Sequence, residues 1–409
     1  MAGLLLLLLL LAPPAFGQTA CDYTAADAHA LAAPESAAGS VASLSRYLMH
    51  NARNDREKTR AIYRWITESI NYDASLLGKD VDPEVVLKQR RAVCAGYASL
   101  FAALAEASGL TAVVVHGEAK GVGPKGAMTS EGLLTHDWNA VQIDDAWRLV
   151  DCTWGAGRLD ERLRFVPRFT DHYFLTPPEL FVYDHLPKEA RWQLLELPLS
   201  RSDFLKRVTV KSAFFENGLQ LVSHPHAQIE CDGSLTVTVG APAETIVAAS
   251  LARNGRDLDG AQAFAQREGD NFAVSASMPS KGIYVLRIFA RKRDSQSEEY
   301  DLAAEYRVEA GAGNPGVFPK MFVSFQERDC HLDRPLSGRL RAGSSEHFSL
   351  RAPGAEDVVV EVSGVVQHLA AAGGDAFTGA VNLESGAATV FARFPGNRRY
   401  EGLLKYVVE

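Results

Sequence analysis

The chain has 409 residues, 47% of them hydrophobic and 22% charged, with a formal net charge of −8. That length exceeds a single ordinary hydrophobic core, so two or three domains are expected. An acidic balance without any dense Lys/Arg stripe excludes a nucleic-acid or other polyanionic partner.

Leu4 to Leu11 is an unbroken leucine run, followed by Ala12-Pro13-Pro14-Ala15-Phe16-Gly17 with small residues at the −3 and −1 positions of a cut after Gly17. Residues 1–17 therefore read as a secretory signal peptide, since a membrane span needs roughly 20 apolar residues. A lipoprotein anchor at Cys21 is the competing reading, set back by Gln18, where such sites want an aliphatic residue. No later apolar run is long enough for a membrane helix. The mature chain is expected to be secreted or periplasmic, with no integral membrane segment.

From about Ala25 to Ala52 the Ala- and Ser-rich chain predicts a helical lead-in. Glu57 to Tyr72 places Ala61, Ile62, Trp65, Ile66 and Ile70 at i, i+3/i+4 spacing, a helix with one buried face. Val85 to Arg90 predicts a short helix or turn. Cys94 to Ser108 is apolar nearly all round before Gly109 stops it, the pattern of a helix central in a core. The period then changes to two. Thr111 to Gly117, His136 to Ile143 and Ala146 to Cys152 read as strands, the last two joined by a tight turn at Asp144-Asp145. The Gly-rich polar stretch from Ala119 to Thr135 reads as a mobile flap.

After about Ser202 β alternation takes over. Leu235, Val237 and Val239 share a face, as do Tyr284, Leu286 and Ile288, and Glu309 to Gly316 is a linker by composition. Beyond it Phe348 and Leu350, then Val358, Val360 and Val362, then Val390, Ala392 and Phe394, then Leu404, Tyr406 and Val408 repeat the pattern. The expected organisation is an α+β domain over residues 18–205 and two β-sandwich-like modules over 206–310 and 311–409.

Five cysteines remain after the leader: Cys21, Cys94, Cys152, Cys231 and Cys330. An odd count in an exported chain leaves one thiol unpaired or in an intermolecular bond. If Cys94 is the free one, the others allow up to two disulfides in three connectivities, or are buried thiols, as suits Cys152. Cys94 opens a helix, where unpaired amides and a partial positive charge stabilise a thiolate. Nucleophilic catalysis by cysteine also needs a base and a group that orients it, and His136 and Asp151 offer both. In a hairpin turning at Asp144-Asp145, partner numbers add to about 289, which sets His136 opposite position 153, two residues from Asp151.

Three stretches carry a resemblance: Arg91-Ala92-Val93-Cys94-Ala95-Gly96-Tyr97-Ala98, His136-Asp137-Trp138-Asn139-Ala140-Val141, and Trp147 to Gly157 (WRLVDCTWGAG). They resemble, in order, the three blocks of the transglutaminase-like superfamily, and look closest to its kyphoscoliosis-peptidase and hillarin branch. Tyr173 to Glu179, Asp184-His185-Leu186-Pro187 and Trp192 to Leu195 resemble the tail of that branch, and the two β modules its C-terminal repeats. The resemblance implies a papain/transglutaminase-like fold, N-terminal helices packed on an antiparallel sheet. It also implies Cys94 as nucleophile, His136 as general base and acid, and Asp151 orienting the imidazole. Attack on a carboxamide or peptide carbonyl would give a thioester, whose acyl group passes to water or an amine. The Cys94 backbone N–H and one further donor would meet the oxyanion, with Gln89 a candidate by analogy with papain-like enzymes. Trp138 would wall the site and Asn139 brace local backbone. Asp137 departs from the pattern, which has a small residue there, and as a strand neighbour it is expected to point to the opposite face.

The expected function is an exported cysteine peptidase or amidase acting on protein or peptide amides. The alternatives are a protein cross-linker and a non-catalytic scaffold. The β modules are expected to bind or space a protein or surface partner. No cofactor or metal is expected: calcium-binding segments of the vertebrate transglutaminase type are not recognisable, and His224-Pro225-His226 lacks nearby ligand partners.

Overall fold

The structure, a computed structural model, describes residues 22–409 except 80, 122, 125–126, 130–131, 161 and 259–260. The leader, Cys21 and parts of the stretch read as a flap lie outside the described residues. By internal packing the chain divides into two units. One comprises the described residues up to Val114 with Trp138–Asp160 and Phe165–Phe169, the other those within Val115–Asp137, Glu161–Arg164 and Thr170–Glu409.

In the first unit the helical lead-in is two helices, α1 (Thr24–Leu31) and α2 (Val41–Leu48). Then α3 (Asp55–Ser69) starts at Asn54, whose side chain accepts from the Glu57 N–H at 2.9 Å. It buries Ile62, Tyr63, Trp65 and Ile66. Arg60, only 4% exposed, makes a two-pronged ion pair with Asp27 at 2.6 Å that ties α1 to α3. The periodicity predicts that this helix continues to Tyr72, but it stops at Ser69. Ile70 is already extended (φ −109°, ψ 128°), and Asn71–Tyr72 form β1.

After α4 (Pro83–Gln89), Arg90 in the left-handed region (φ 57°) turns the chain into β2 (Arg91–Ala92), which pairs in parallel with β1. One extended residue later α5 (Cys94–Ala107) begins. Tyr97, Leu100, Phe101 and Leu104 are fully buried, so α5 is the central helix that its all-round apolarity predicts. The Tyr97 hydroxyl donates to the Ile70 carbonyl at 2.5 Å and holds β1 to α5.

The strands β3 (Ala112–Ala119) and β4 (Leu134–Ile143) each pass from one unit into the other, and β5 (Ala146–Val150) belongs to the first. β4 and β5 pair from Asn139↔Val150 to Ile143↔Ala146, the register expected of the turn. Asp144 and Asp145 both have positive φ (50° and 60°), as a type I′ hairpin demands. The expected strand to Cys152 ends early. Asp151 caps a new helix, α6 (Cys152–Ala156), its Oδ1 accepting from the N–H groups of Thr153 at 2.8 Å and Trp154 at 3.1 Å. Gly155 of α6 lies so close to the buried Tyr63 ring that only a hydrogen fits there.

In the second unit, Gly117–Ala119 of β3 pair antiparallel with His185–Pro187, and the helix Pro178–Phe181 precedes them. The rest is two β modules of one topology. In the first, Thr209–Val210, Asp301–Ala310, Gly282–Lys292, Thr245–Arg253 and Arg256–Asp257 form one sheet in that order, with Gln228–Cys231 added in parallel. Its second sheet runs Gln220–Leu221, Ser234–Gly240, Asn271–Ser277 and Ala263–Glu268. Val237 and Val274 from one sheet pack with Leu286, Ile288 and Tyr306 from the other. The second module repeats the order with Lys320–Met321, Glu401–Val408, Gly386–Arg393, Asp357–Val362 and Val365–His368, and Arg339–Leu340 again parallel. The stretch expected to be a linker from Glu309 begins later, since its strand continues to Ala310. The chain thus combines helices and sheets with two β-rich modules. Among the described residues no helix is long and apolar enough to cross a membrane.

Burial pulls His172 down from 6.5 to about 4, against the opposing charge of Asp184, and its ring stacks on Phe215 at 4.7 Å. The unfolded chain therefore takes up this proton first as pH falls. The contribution is present above about pH 6.5 and is lost on the way to pH 4, roughly 2 kcal/mol after allowing for partial exposure. In His172→Phe, the fall in melting temperature between pH 7 and pH 4.5 should be smaller than in the wild type. An equal fall would show that the acid sensitivity arises elsewhere.

Candidate active site

Cys94 is the first residue of α5, half-buried and a free thiol. The preceding Val93 has no side-chain acceptor to cap the helix, so the first amides remain available to a negatively charged group. Tyr72 of β1 lies beside it. Burial, and then the charge of a Cys94 thiolate, push the Tyr72 phenol up to about 12, which leaves it a neutral hydrogen-bond donor at physiological pH. Tyr97, one turn into α5, feels burial and then the charges of Cys152, Asp151 and Tyr72, all of which push its hydroxyl well above its usual value. The starts of α5 and α6 are thereby neighbours, and Cys94 and Asp151 open or precede them.

Asp151 is 0% exposed and holds α6 through Oδ1. Complete burial and the Asp151 charge push the Cys152 thiol well up, so it is the poor nucleophile of the two. Cys231 and Cys330 are also free thiols, so no disulfide joins the described cysteines. Asn139 donates from Nδ2 to the Ala98 carbonyl at 3.0 Å and the Val113 carbonyl at 3.2 Å, bracing α5 against β3. Trp138 is buried. Gln89 is exposed at the end of α4 and lines a cavity of about 300 Å³ together with Val93 and Gly96, which flank Cys94 in the chain.

His136, 1% exposed, sits on β4 in the part that belongs to the second unit. Its ring centre is 5.4 Å from that of His185, at 47°. His185 is itself buried against Phe181 at 4.0 Å and hydrogen-bonds Asp184, Nδ1 to Oδ1 at 2.6 Å. The Tyr173 hydroxyl donates to Asp184 Oδ2 at 2.9 Å. Asp137 turns to the exposed His116, Oδ1 to Nδ1 at 2.5 Å. His224 engages Ser223 Oγ at 2.8 Å.

Tyr72, Tyr173, Asp184 and His185 carry no functional role in the sequence reading. Tyr72 hides at the end of an apparent helix. The Asp184-His185 dipeptide stands out only through its block.

Residues 42–152 match the model of the transglutaminase-like superfamily, and residues 201–319 that of the KY-like, immunoglobulin-like domain. Kyphoscoliosis peptidase from Homo sapiens is 33% identical over 277 residues, 66% of this chain and 40% of that protein. Hillarin from Drosophila melanogaster is 32% identical over 222 residues, 49% of this chain and 27% of that protein. The chain therefore spans two-fifths or less of the length of these two relatives. A solved structure titled as that of a TGase is 18% identical, covers 34% of each chain and has a TM-score of 0.20, too low to carry an argument. The first match contains Cys94, His136 and Asp151, and the second covers the first β module. The chain belongs to the transglutaminase-like superfamily, in the branch of kyphoscoliosis peptidase and hillarin.

Proposed function

We propose that the chain is a cysteine peptidase or amidase of papain/transglutaminase-like layout, with Cys94 as nucleophile, His136 as general base and acid, and Asp151 as the group that orients His136. The observation that carries this reading is Cys94 itself: a free, half-buried thiol at the uncapped start of a 14-residue helix, with a neutral tyrosine beside it. The Cys94 sulfur attacks an amide carbonyl, forming the C–S bond while His136 holds the thiol proton. The resulting oxyanion is met by the amides at the start of α5 and by the Tyr72 hydroxyl, in place of the exposed Gln89. Collapse expels the amine, which takes the proton from His136. Water, deprotonated by His136, then attacks the thioester and releases the acid and the thiol.

The named kyphoscoliosis peptidases support hydrolysis over transfer. The test is iodoacetamide labelling near neutral pH combined with peptide hydrolysis by the full chain. Cys94 should react at least about tenfold faster than in the denatured protein. Cys94→Ala should lower hydrolysis by about 10³-fold or more. A Cys94 no more reactive than in the denatured chain, with activity unchanged in Cys94→Ala, would leave the scaffold reading. Incorporation of an added primary amine into the product would mark a transferase.

A further inference from the structure

Within the second unit two imidazoles are buried side by side. His136 on β4 and His185 in the strand His185–Pro187 are each 1% exposed, and a ring nitrogen of one lies within 4.8 Å of a ring nitrogen of the other. Ring nitrogens in a dry interior cost free energy unless a partner serves them, so a pair of them calls for a physical account.

His185 is arranged in a particular way. The buried Asp184 carboxylate can only accept at 2.6 Å, which puts the proton on His185 Nδ1 and leaves the lone pair on Nε2. The Tyr173 hydroxyl donates to the other Asp184 oxygen at 2.9 Å, and Phe181 stacks on the His185 ring at 4.0 Å. A carboxylate behind the Nδ1–H is the outer shell that metal-ligating histidines carry. It fixes the tautomer, holds the ring and makes Nε2 a stronger donor. Imidazole nitrogens suit zinc, whereas calcium and magnesium take oxygen ligands. Two Zn–N bonds of about 2.0–2.1 Å in a tetrahedron set their nitrogens about 3.4 Å apart, so ring movements of roughly an ångström complete the chelate.

We propose that His136 and His185 form a two-imidazole zinc site with Asp184 as its outer shell, and that a bound Zn²⁺ reversibly inhibits the enzyme. The metal site itself stands on the two histidines and Asp184. Its inhibitory effect rests on the reading of His136 as general base, and the triad reading adds Asp151 as a third donor. The hydrated ion gives up two waters and accepts one nitrogen lone pair from each ring, with no change of oxidation state. The His136 lone pair is then no longer there to take the Cys94 proton.

The test titrates ZnCl₂ into the metal-free full chain by calorimetry, in a Cys94→Ser background that removes a competing thiolate. One zinc per chain should bind, with a Kd in the micromolar range. His185→Phe and, separately, Asp184→Asn should each weaken binding by about ten- to a hundredfold, while His224→Ala leaves it unchanged. Melting temperatures without metal are recorded alongside, and Asp184→Asn carries the test if His185→Phe does not fold. Co²⁺ in the same protein should give visible ligand-field absorption without the ultraviolet charge-transfer band of a thiolate. In the chain with Cys94 intact, zinc should inhibit peptide hydrolysis, EDTA should restore it, and His185→Phe should raise the half-inhibiting concentration by the same factor as the Kd. No binding in Cys94→Ser, or equally tight binding in both variants, overturns the zinc site and leaves the nucleophile standing. Binding through His185 with hydrolysis unaffected overturns the inhibition. Binding through His185 in a chain whose Cys94 ignores iodoacetamide keeps the metal site and overturns the nucleophile.

Discussion

Asp151→Asn is expected to keep the melting temperature within about 3 °C of the wild type and to cut kcat/KM by roughly 10³- to 10⁴-fold. The two halves of this result come from two duties of one carboxylate. Oδ1 accepts from the Thr153 and Trp154 N–H groups and starts α6, and an asparagine carbonyl does that as well as a carboxylate. The other oxygen is the one that the proposed triad assigns to the His136 imidazole N–H. In asparagine its place is taken by an NH₂ group, a donor facing a donor, so a histidine that depends on it takes the wrong tautomer. Asp151→Ala would confuse the two duties, because losing the cap alone costs about 1 kcal/mol. The asparagine variant separates them. More than about a tenth of wild-type activity in Asp151→Asn, with the fold intact, would make Asp151 a helix cap and nothing more.

The same residue shows where the sequence is legible and where it is not. The β4–β5 register follows from two adjacent aspartates that accept positive φ, a local property readable from the dipeptide. Alternation then runs on through Asp151 and Cys152, although an aspartate before a Cys-Thr-Trp segment is itself a helix-start signal. The period-two pattern hid a cap that the residue type announces. At α3 the error has a different origin. Ile70 continues the helical spacing, yet the chain leaves the helix because Asn71–Tyr72 pair with Arg91–Ala92, a partner twenty residues on that exists only once Arg90 has turned. No local pattern carries that information, so Tyr72 reads as the end of a helix. The two β modules were legible as alternating strands, but their common topology was not, since strand order depends on pairing between distant segments.

Asp184 lies beyond sequence reasoning for a further reason: a buried acid and an exposed one are spelled alike. Its carboxylate, 1% exposed, accepts from His185 Nδ1 at 2.6 Å and the Tyr173 hydroxyl at 2.9 Å. Asp184→Ala is expected to destabilise the second unit by about 3–5 kcal/mol, because it strands two buried donors and removes the counter-charge of any imidazolium. Asp137→Ala provides the control. It breaks an equally short Asp–His contact, but with His116 largely in water, and should cost under about 1 kcal/mol. Urea unfolding followed by a probe in the second unit measures both. Activity should follow stability only at Asp184. Its imidazole partner packs 5.4 Å from the His136 ring, and without the carboxylate His185 no longer holds one orientation against the proposed base. Asp184→Asn refines the comparison by keeping the shape and one acceptor. It should recover part of the stability, while the pH dependence of kcat/KM still moves, since an amide can hold the ring in place without supplying its charge. Equal, small costs at Asp137 and Asp184 would mean that the buried pair is tolerated and not structural. A large cost at Asp184 with the pH profile of Asp184→Asn unmoved would confine the pair to folding and leave His136 positioned by other groups.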